Sequence, residues 1–393
     1  MNALEQDLIA PLVAVACDYS IAPASLRERL VTSPEERQAV HRSLADLCSG
    51  AGFMALETCN RVVWFAAGND PALLADRLKA EMRDCWTEAG YAPVDLPRLD
   101  VRIGTEAVRY ALKIVVGWEA LARGEAEIAG QFQKALTMAI SEKTANRALS
   151  GLGRVAGDLA RKAGRIGFRS ARSRGVHILV GHFLAARFEN SQAPVVAVAG
   201  MGRIGRKLAD HLEHRHGWRV LRFNRTILED RTDRWKPLSD LPNALADCNA
   251  LVITTGARRA VLSSDLLCNG PDLVLDLGAP RQMNMAPLAG SDIHCFDIDD
   301  LLGVVQPSIA PEITRAVEEA VEAALRDYSD YCKMAAWTGL LGRLSDLKHS
   351  YTNGLLDAAI DDPVQRAAAR ALVGAYTHEI IDAIRAEILK DRS

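Results

Sequence analysis

A short aliphatic run, Val195–Ala199, leads directly into Gly200-Met201-Gly202-Arg203-Ile204-Gly205 and then into the helix-like stretch RKLADHLEHRHG. No other part of the 393 residues constrains the fold as strongly. A buried strand, a glycine turn and a helix in that order make the first half of a parallel βαβ unit. Four more aliphatic runs follow, WRVLRF, ALVITT, DLVLDLGAP and IHCFDI, with helical or turn segments between them. Strands alternating with helices predict a parallel sheet over residues 194–304. Gly200 permits the tight turn, Gly202 lets the backbone approach a pyrophosphate, and Gly205 lets helix and strand pack closely. The helix start supplies N–H groups and a positive partial charge for the phosphates. A purely structural glycine turn is the competing reading, and the strand–turn–helix context speaks against it.

The second strand ends at Phe223 and is followed by Asn224-Arg225-Thr226. A unit that binds NAD carries an acid here for the ribose 2′-hydroxyl. This chain carries Arg225, which can neutralise a 2′-phosphate, with Thr226 as an extra hydroxyl donor. The expected cofactor is therefore NADPH, although an exposed arginine with no ligand fits the same position.

The rest of the chain is ordinary globular material, 49% hydrophobic and 25% charged. That excludes a disordered chain, a collagen-like repeat and a coiled-coil rod. With 47 Lys and Arg against 50 Asp and Glu, it is no general polycation. No apolar run reaches the ~18–20 residues that span a bilayer. The start, MNALEQDLIA, lacks a basic n-region, so we expect a cytoplasmic protein with no membrane partner. Eight scattered cysteines form no CxxC pair and no zinc spacing, so no metal site is expected.

Residues 1–130 read as an α+β domain. PLVAVACDYS, FMALE and VVWFAA are strand-like, and SPEERQAVHRSLADLC and DPALLADRLKAEMRDCW are helical, which suggests one βαβ-like arrangement with a strand pair. Thr58-Cys59-Asn60-Arg61 joins two of the strand-like runs. A cation two residues from Cys59 favours its thiolate, which suits a nucleophile at an ester carbonyl. A buried core thiol is the plainer reading of one cysteine among eight. Residues 143–174 hold nine Lys and Arg and one acid, Asp158: a solvated helix face, or a surface for a polyanion such as RNA. From Pro311 onward the chain reads as helical, first through PEITRAVEEAVEAALRDYSDYCKMAAW, then through LLGRLSDLKHSYTNGLLDAAI and VQRAAARALVGAYTHEIIDAIRAEIL.

Several of these features, in order along the chain, resemble the glutamyl-tRNA reductase family. TCNR (Thr58–Arg61) is similar to its catalytic cysteine motif, and APASLRERL (Ala22–Leu30) to its N-terminal segment. Gly117, Gly124-Glu125, Ile128 and Gly130-Gln131 follow its substrate-domain pattern. AGMGRIG, NRT, TTGA (Thr254–Ala257), DLGAPR (Asp276–Arg281) and FDIDDL (Phe296–Leu301) follow its NADPH domain.

The resemblance implies an α/β multidomain protein. It would have an α+β catalytic domain over 1–158, a Rossmann-type NADPH domain over 159–304, and a spinal helix with a helical dimerisation domain over 305–393. It implies a catalytic Cys59 that takes the glutamyl group from glutamyl-tRNA as a thioester, with reduction to glutamate-1-semialdehyde. Thr58, Arg61, Arg109, Tyr110, Glu125 and Gln131 would touch substrate, and Arg61 would hold a carboxylate. Gly200, Met201, Gly202, Arg203, Ile204, Gly205, Asn224, Arg225, Thr226, Thr254, Thr255 and Gly278 would hold NADPH. A homodimer, a tRNA substrate and an aminomutase that accepts the aldehyde are the implied partners.

The chain departs from the family where substrate polarity is set. Asp18-Tyr19-Ser20-Ile21 replaces Asn-His-Lys-Thr, Glu57 replaces Ser, Val62-Val63 replaces Thr-Glu, Tyr110 replaces His and Ala120 replaces Ser. Such losses change which acyl group fits a pocket built on hydrogen bonds. Reduction of another aminoacyl-tRNA or acyl ester by the same chemistry therefore stays open, as does a non-catalytic homologue that binds tRNA or a partner.

Overall fold

Strand β1 (Leu12–Asp18) lies in the middle of a four-stranded antiparallel sheet with β2 (Gly52–Glu57), β3 (Arg61–Ala67) and β4 (Asp100–Ile103), in the order β2-β3-β1-β4. The computed structural model describes residues 12–58, 60–120, 123–125, 127–168, 175–189, 194–226, 235–256, 262–267, 270–278, 281–284, 292–303, 309–350 and 359–390. Helix α1 (Pro34–Leu47) connects β1 to β2, and α2 (Pro71–Glu88) connects β3 to β4. The result is a split βαβ sheet of ferredoxin-like order. The βαβ-like expectation is corrected in one respect: β1 and β2 run the same way, but β3 lies between them, so no neighbouring strands here are parallel.

Local chemistry sets the helix starts. Ser33 and Glu36 form a capping box ahead of Pro34, with Glu36 N–H donating to Ser33 Oγ at 3.2 Å. Asp70 caps α2 by accepting from Leu73 N–H at 3.0 Å. One core holds Val13, Val15, Val62, Trp64, Leu78 and Trp86. Phe65, one residue from Trp64 and so on the opposite face, meets Phe132 edge to face at 6.1 Å. Burial on both faces explains why β3 reads as one apolar run rather than an alternation.

Helices α3 (Thr105–Val116), α4 (Glu127–Ser141) and α5 (Arg147–Arg165) complete this part. On α5, Leu149, Leu152, Val155, Ala156, Leu159 and Ala163 are buried, and Arg147, Arg154, Arg161, Lys162 and Arg165 are exposed. The basic stretch is thus one face of an amphipathic helix. Its members Arg169, Arg172 and Arg174 lie outside the described residues.

Helix α6 (Val176–Arg187) leads into a six-stranded parallel sheet ordered β10-β9-β8-β5-β6-β7. The strands are β5 (Val195–Ala199), β6 (Arg219–Asn224), β7 (Lys236–Pro237), β8 (Ala250–Ile253), β9 (Leu273–Asp276) and β10 (His294–Asp297). Helix α7 (Arg203–His216) joins β5 to β6. Five strands match the aliphatic runs. The sixth, β7, is a two-residue edge strand containing a proline, too short to leave a pattern. The order is that of a Rossmann sheet, and the ligand crevice of such a sheet opens where β5 and β8 diverge, at their carboxyl ends.

Four histidines meet where α6 packs on α7. His177 and His211 lie edge to face at 6.1 Å, and His211 and His216 at 5.2 Å. The Nε2 atoms of His211 and His216 are buried with no partner among the described residues. Burial first, then the His216, His177 and His182 imidazoles and the Arg215 guanidinium, push His211 down to about 4. The folded state therefore resists a proton that the unfolded chain accepts near 6.5. Stability is expected to fall as pH drops from about 6.5 towards 4. Thermal melts across that window check this, and His211→Gln should flatten the dependence.

The chain divides into two compact units, Met1–Tyr328 and Ser329–Ser393. Helix α8 (Pro311–Ser350) is one 40-residue helix. The run LLGRLSDLKHS, expected to start a further helix, continues it because no proline or glycine–proline break intervenes. In the second unit, α9 (Pro363–Lys390) exposes Val364, Leu372, Tyr376 and Ile380. Among the described residues, no helix is long and apolar enough to cross a membrane.

The cysteine motif and the glycine turn as a candidate active site

The connection between β2 and β3 is tied by one side chain. Thr58 Oγ1 accepts from the N–H groups of Asn60 (3.3 Å) and Arg61 (3.2 Å), and Thr58 N–H donates to the Arg61 carbonyl at 2.9 Å. Cys59, the expected nucleophile, lies outside the described residues. Thr58 and Glu57 line a cleft of about 490 Å³. Glu57 turns its carboxylate to Thr32, accepting from its N–H at 2.9 Å and its hydroxyl at 2.6 Å.

The other expected substrate contacts separate into groups. Gln131 lines the same cleft from α4. Arg61 is buried beneath the motif and donates to the Glu119 carbonyl. Tyr110 is buried with no partner for its hydroxyl among the described residues, and the Arg102 guanidinium stacks 3.9 Å from its ring centre. Burial pushes the Tyr110 phenol up to about 12, against the pull of Arg61 and Arg102. Asn60 Oδ1 is likewise buried with no partner among the described residues. Arg109, expected at substrate, points elsewhere: it bonds Glu106 and reaches Glu322 of α8 at 2.8 Å. Neighbouring helix positions face different ways, so Arg109 and Tyr110 do not share a site. Val62 lies in the core with Val13 and Trp64.

The expected cofactor residues converge. A cavity of about 310 Å³ is lined by Gly200, Gly202, Asn224, Arg225, Thr226, Thr254 and Thr255. Gly200 has φ +103, a conformation that favours glycine. Asn224 Oδ1 accepts from Met201 N–H at 3.0 Å and so ties the turn to the end of β6. The Met201 side chain itself belongs to the sheet core. Thr254 Oγ1 donates to the Gly200 carbonyl at 2.6 Å. Gly278 N–H donates to buried Asp276 at 2.8 Å, outside the cavity lining. Ala257, Ala279 and Pro280 of the TTGA and DLGAPR motifs lie outside the described residues.

The two spaces share a wall. Thr254, Thr255 and Gly256 line both, and Arg203 and Ile204 line the cleft beside them. The carboxyl end of β8 thus faces the glycine turn on one side and Thr58 on the other. Space is open at Gly202, where an added Cβ would meet nothing within 4 Å. That suits a backbone approached by a diphosphate.

Sequence reading missed several side chains here. Arg37 and Lys134 line the cleft, and Arg37 is bonded to Glu142 at 2.8 Å. Lys134 is three residues beyond Gln131 on α4, a spacing that could have revealed it. Glu127 joins the two domains: it accepts from Lys207 Nζ at 2.8 Å and sits 3.4 Å from Arg203 Nε. Glu125 beside it is pushed up to about 7 by burial and by the Glu127 charge, against Lys207, Arg203 and Arg61. The APASLRERL, DLGAPR and FDIDDL motifs also meet across the domains. Arg27 pairs with Asp299 at 2.7 Å, and Arg281 N–H donates to Glu28 at 2.9 Å.

A Rossmann sheet whose ligand crevice lies beside the antiparallel sheet that leads into the cysteine motif defines a protein of dehydrogenase type. A family profile described as glutamyl-tRNAGlu reductase, N-terminal domain, matches residues 15–165, and one described as shikimate/quinate 5-dehydrogenase matches residues 183–304. Glutamyl-tRNA reductase of Bacillus subtilis (strain 168) is 24% identical, over 96% of this chain and 87% of its own length. That of Halalkalibacterium halodurans is 24% identical, over 84% of this chain and 74% of its own. The solved glutamyl-tRNA reductase of Methanopyrus kandleri shares the fold, with TM-score 0.52 and 23% identity over 96% of this chain and 94% of that one. The chain is thus a distant relative of the glutamyl-tRNA reductases along nearly its whole length.

Proposed function

We propose that this chain is an NADPH-dependent reductase of an aminoacyl-tRNA, with glutamyl-tRNA as the first candidate and glutamate-1-semialdehyde as the product. The observation that carries the reading is the shared Thr254–Gly256 wall, which brings the glycine-turn cavity and the cleft at Thr58 together. Cys59 follows Thr58 directly. Its thiolate would attack the aminoacyl ester, forming a thioester as the ribose hydroxyl leaves with a proton. NADPH, when bound, supplies the hydride that reduces the acyl group. Gly200, Gly202 and Gly205 would admit its diphosphate, and Arg225 and Thr226 its 2′-phosphate. Lys134 and the basic face of α5 favour a polyanionic substrate. The exposed apolar residues of α9 favour a homodimer built through that helix. By analogy with the family we place the protein in the cytoplasm.

A second reading rests on Tyr110 and Asn60. Two buried polar atoms with no partner among the described residues leave room for a substrate group that pairs with them, and a phenol held above its usual range offers no base near neutral pH. A different acyl donor meets that requirement as well as a glutamyl group.

A single-turnover assay with glutamyl-tRNA and NADPH, trapping aldehyde, tests the proposal. Wild type should give aldehyde and Cys59→Ser none. NADPH binding without aldehyde in the wild type would overturn glutamyl-tRNA as substrate and favour the second reading.

A further inference from the structure

Helix α7 opens with an unusual charge arrangement. Arg203, Arg206 and Lys207 lie in its first five residues, and its first turn holds no acid. A helix start already carries partial positive charge, so cations there repel it. The missing negative charge comes from another domain. Glu127, its side chain only 10% exposed, bonds Lys207 and neighbours Arg203. It also occupies the first turn of α4, whose own dipole favours an acid. One carboxylate thus serves two helix starts, one beside Gln131 of the cleft and one at the glycine turn.

The two cations differ in their ties. Lys207 makes the closer contact, a full turn inside the helix. Arg203 is the first helical residue, more than half exposed, and lines the cleft. Its planar fork matches phosphate geometry better than a lysine does.

We propose that Glu127 is a positioning residue: it stays paired with Lys207, which holds the glycine-turn domain against the cysteine-bearing domain, and yields Arg203 to the dinucleotide's diphosphate. The proposal rests on the reductase reading. It extends that reading by naming the joint that aligns cofactor and acyl group.

Glu127→Gln separates the steps. Arg203 loses its competitor, so NADPH binds as well as in wild type or tighter. Hydride transfer from NADPH to the preformed Cys59 thioester falls roughly 10- to 100-fold, because small misplacements of reacting groups carry penalties of that order. The KM for NADPH therefore does not rise while kcat drops. Glu127→Lys and Lys207→Glu should each impair transfer, and the double variant should recover most of it. Amide hydrogen exchange gives a readout free of catalysis: residues 127–131 and 203–207 exchange faster in Glu127→Gln and return towards wild type in the charge-swapped pair. Equal loss of NADPH binding and transfer would overturn the proposal, as would unchanged transfer and exchange. No aldehyde from wild type with any acyl donor would sink the reductase reading, and the exchange arm would still decide whether the joint exists.

Discussion

Gly205→Ala is expected to weaken NADPH binding by at least about tenfold and to lower the melting temperature, while Gly202→Ala weakens binding alone. The difference is steric. A Cβ at Gly205 would lie 1.9 Å from the Gly200 carbonyl oxygen and 2.6 Å from Thr254 Oγ1, which itself donates to that carbonyl. Neither is the free end of a flexible chain, so α7 must move off the sheet. That withdraws Leu208, Ala209 and Leu212 from the core they share with Val196 and Val198. Overpacking of this kind costs about 1–3 kcal/mol. At Gly202 the added methyl meets nothing in the protein and intrudes only where a diphosphate would approach. Thermal melts read the first effect, and a fluorescence titration with NADPH reads the second. Undiminished binding in both variants would show that this turn is not the phosphate cradle.

Arg27→Ala is expected to destabilise the protein by roughly 3 kcal/mol, the low end for a broken buried pair. Arg27 is 2% exposed. Its guanidinium holds Asp299 at 2.7 and 3.1 Å and also donates to the Ala22 carbonyl at 2.6 Å. Removing it strands a carboxylate that keeps only the Ala24 N–H, at 2.8 Å, from this side. Asp299 is 21% exposed, which places the effect at the low end of the range. A fall in melting temperature of roughly 4 °C follows. Arg27→Lys should restore little, because a single ammonium does not present the planar fork that meets both Asp299 oxygens and the Ala22 carbonyl. A melt within a degree of wild type would refute the account.

The parts of this fold that were legible in the sequence are those set by local pattern. The β5 run and its glycines predict a strand, a turn and a helix, and Ser33-Pro34 predicts a helix start. What was not legible depends on partners far along the chain. Nothing near β2 says that β3 lies between it and β1. Arg27 and Glu28 read as marks of a family segment, and only folding shows that they meet Asp299 and Arg281. Arg109 and Tyr110 are adjacent in sequence, but a helix turns about 100° per residue and sends them to different places. Glu127 carries no motif of its own, and its meaning appears only when Lys207 arrives from the other domain.

The Arg27–Asp299 contact bridges 272 positions of chain. During synthesis the amino-terminal sheet emerges first and can begin to fold as a unit. Its segment 22–30 must wait for the last strand of the second sheet before the guanidinium at its centre finds a counter-ion. Loop closure over that distance comes late, since the entropy of joining distant segments is lost before their contact is gained. The nascent protein therefore passes through a stage in which its first domain holds an arginine without its acidic partner, and completion of the second domain is what finishes the first.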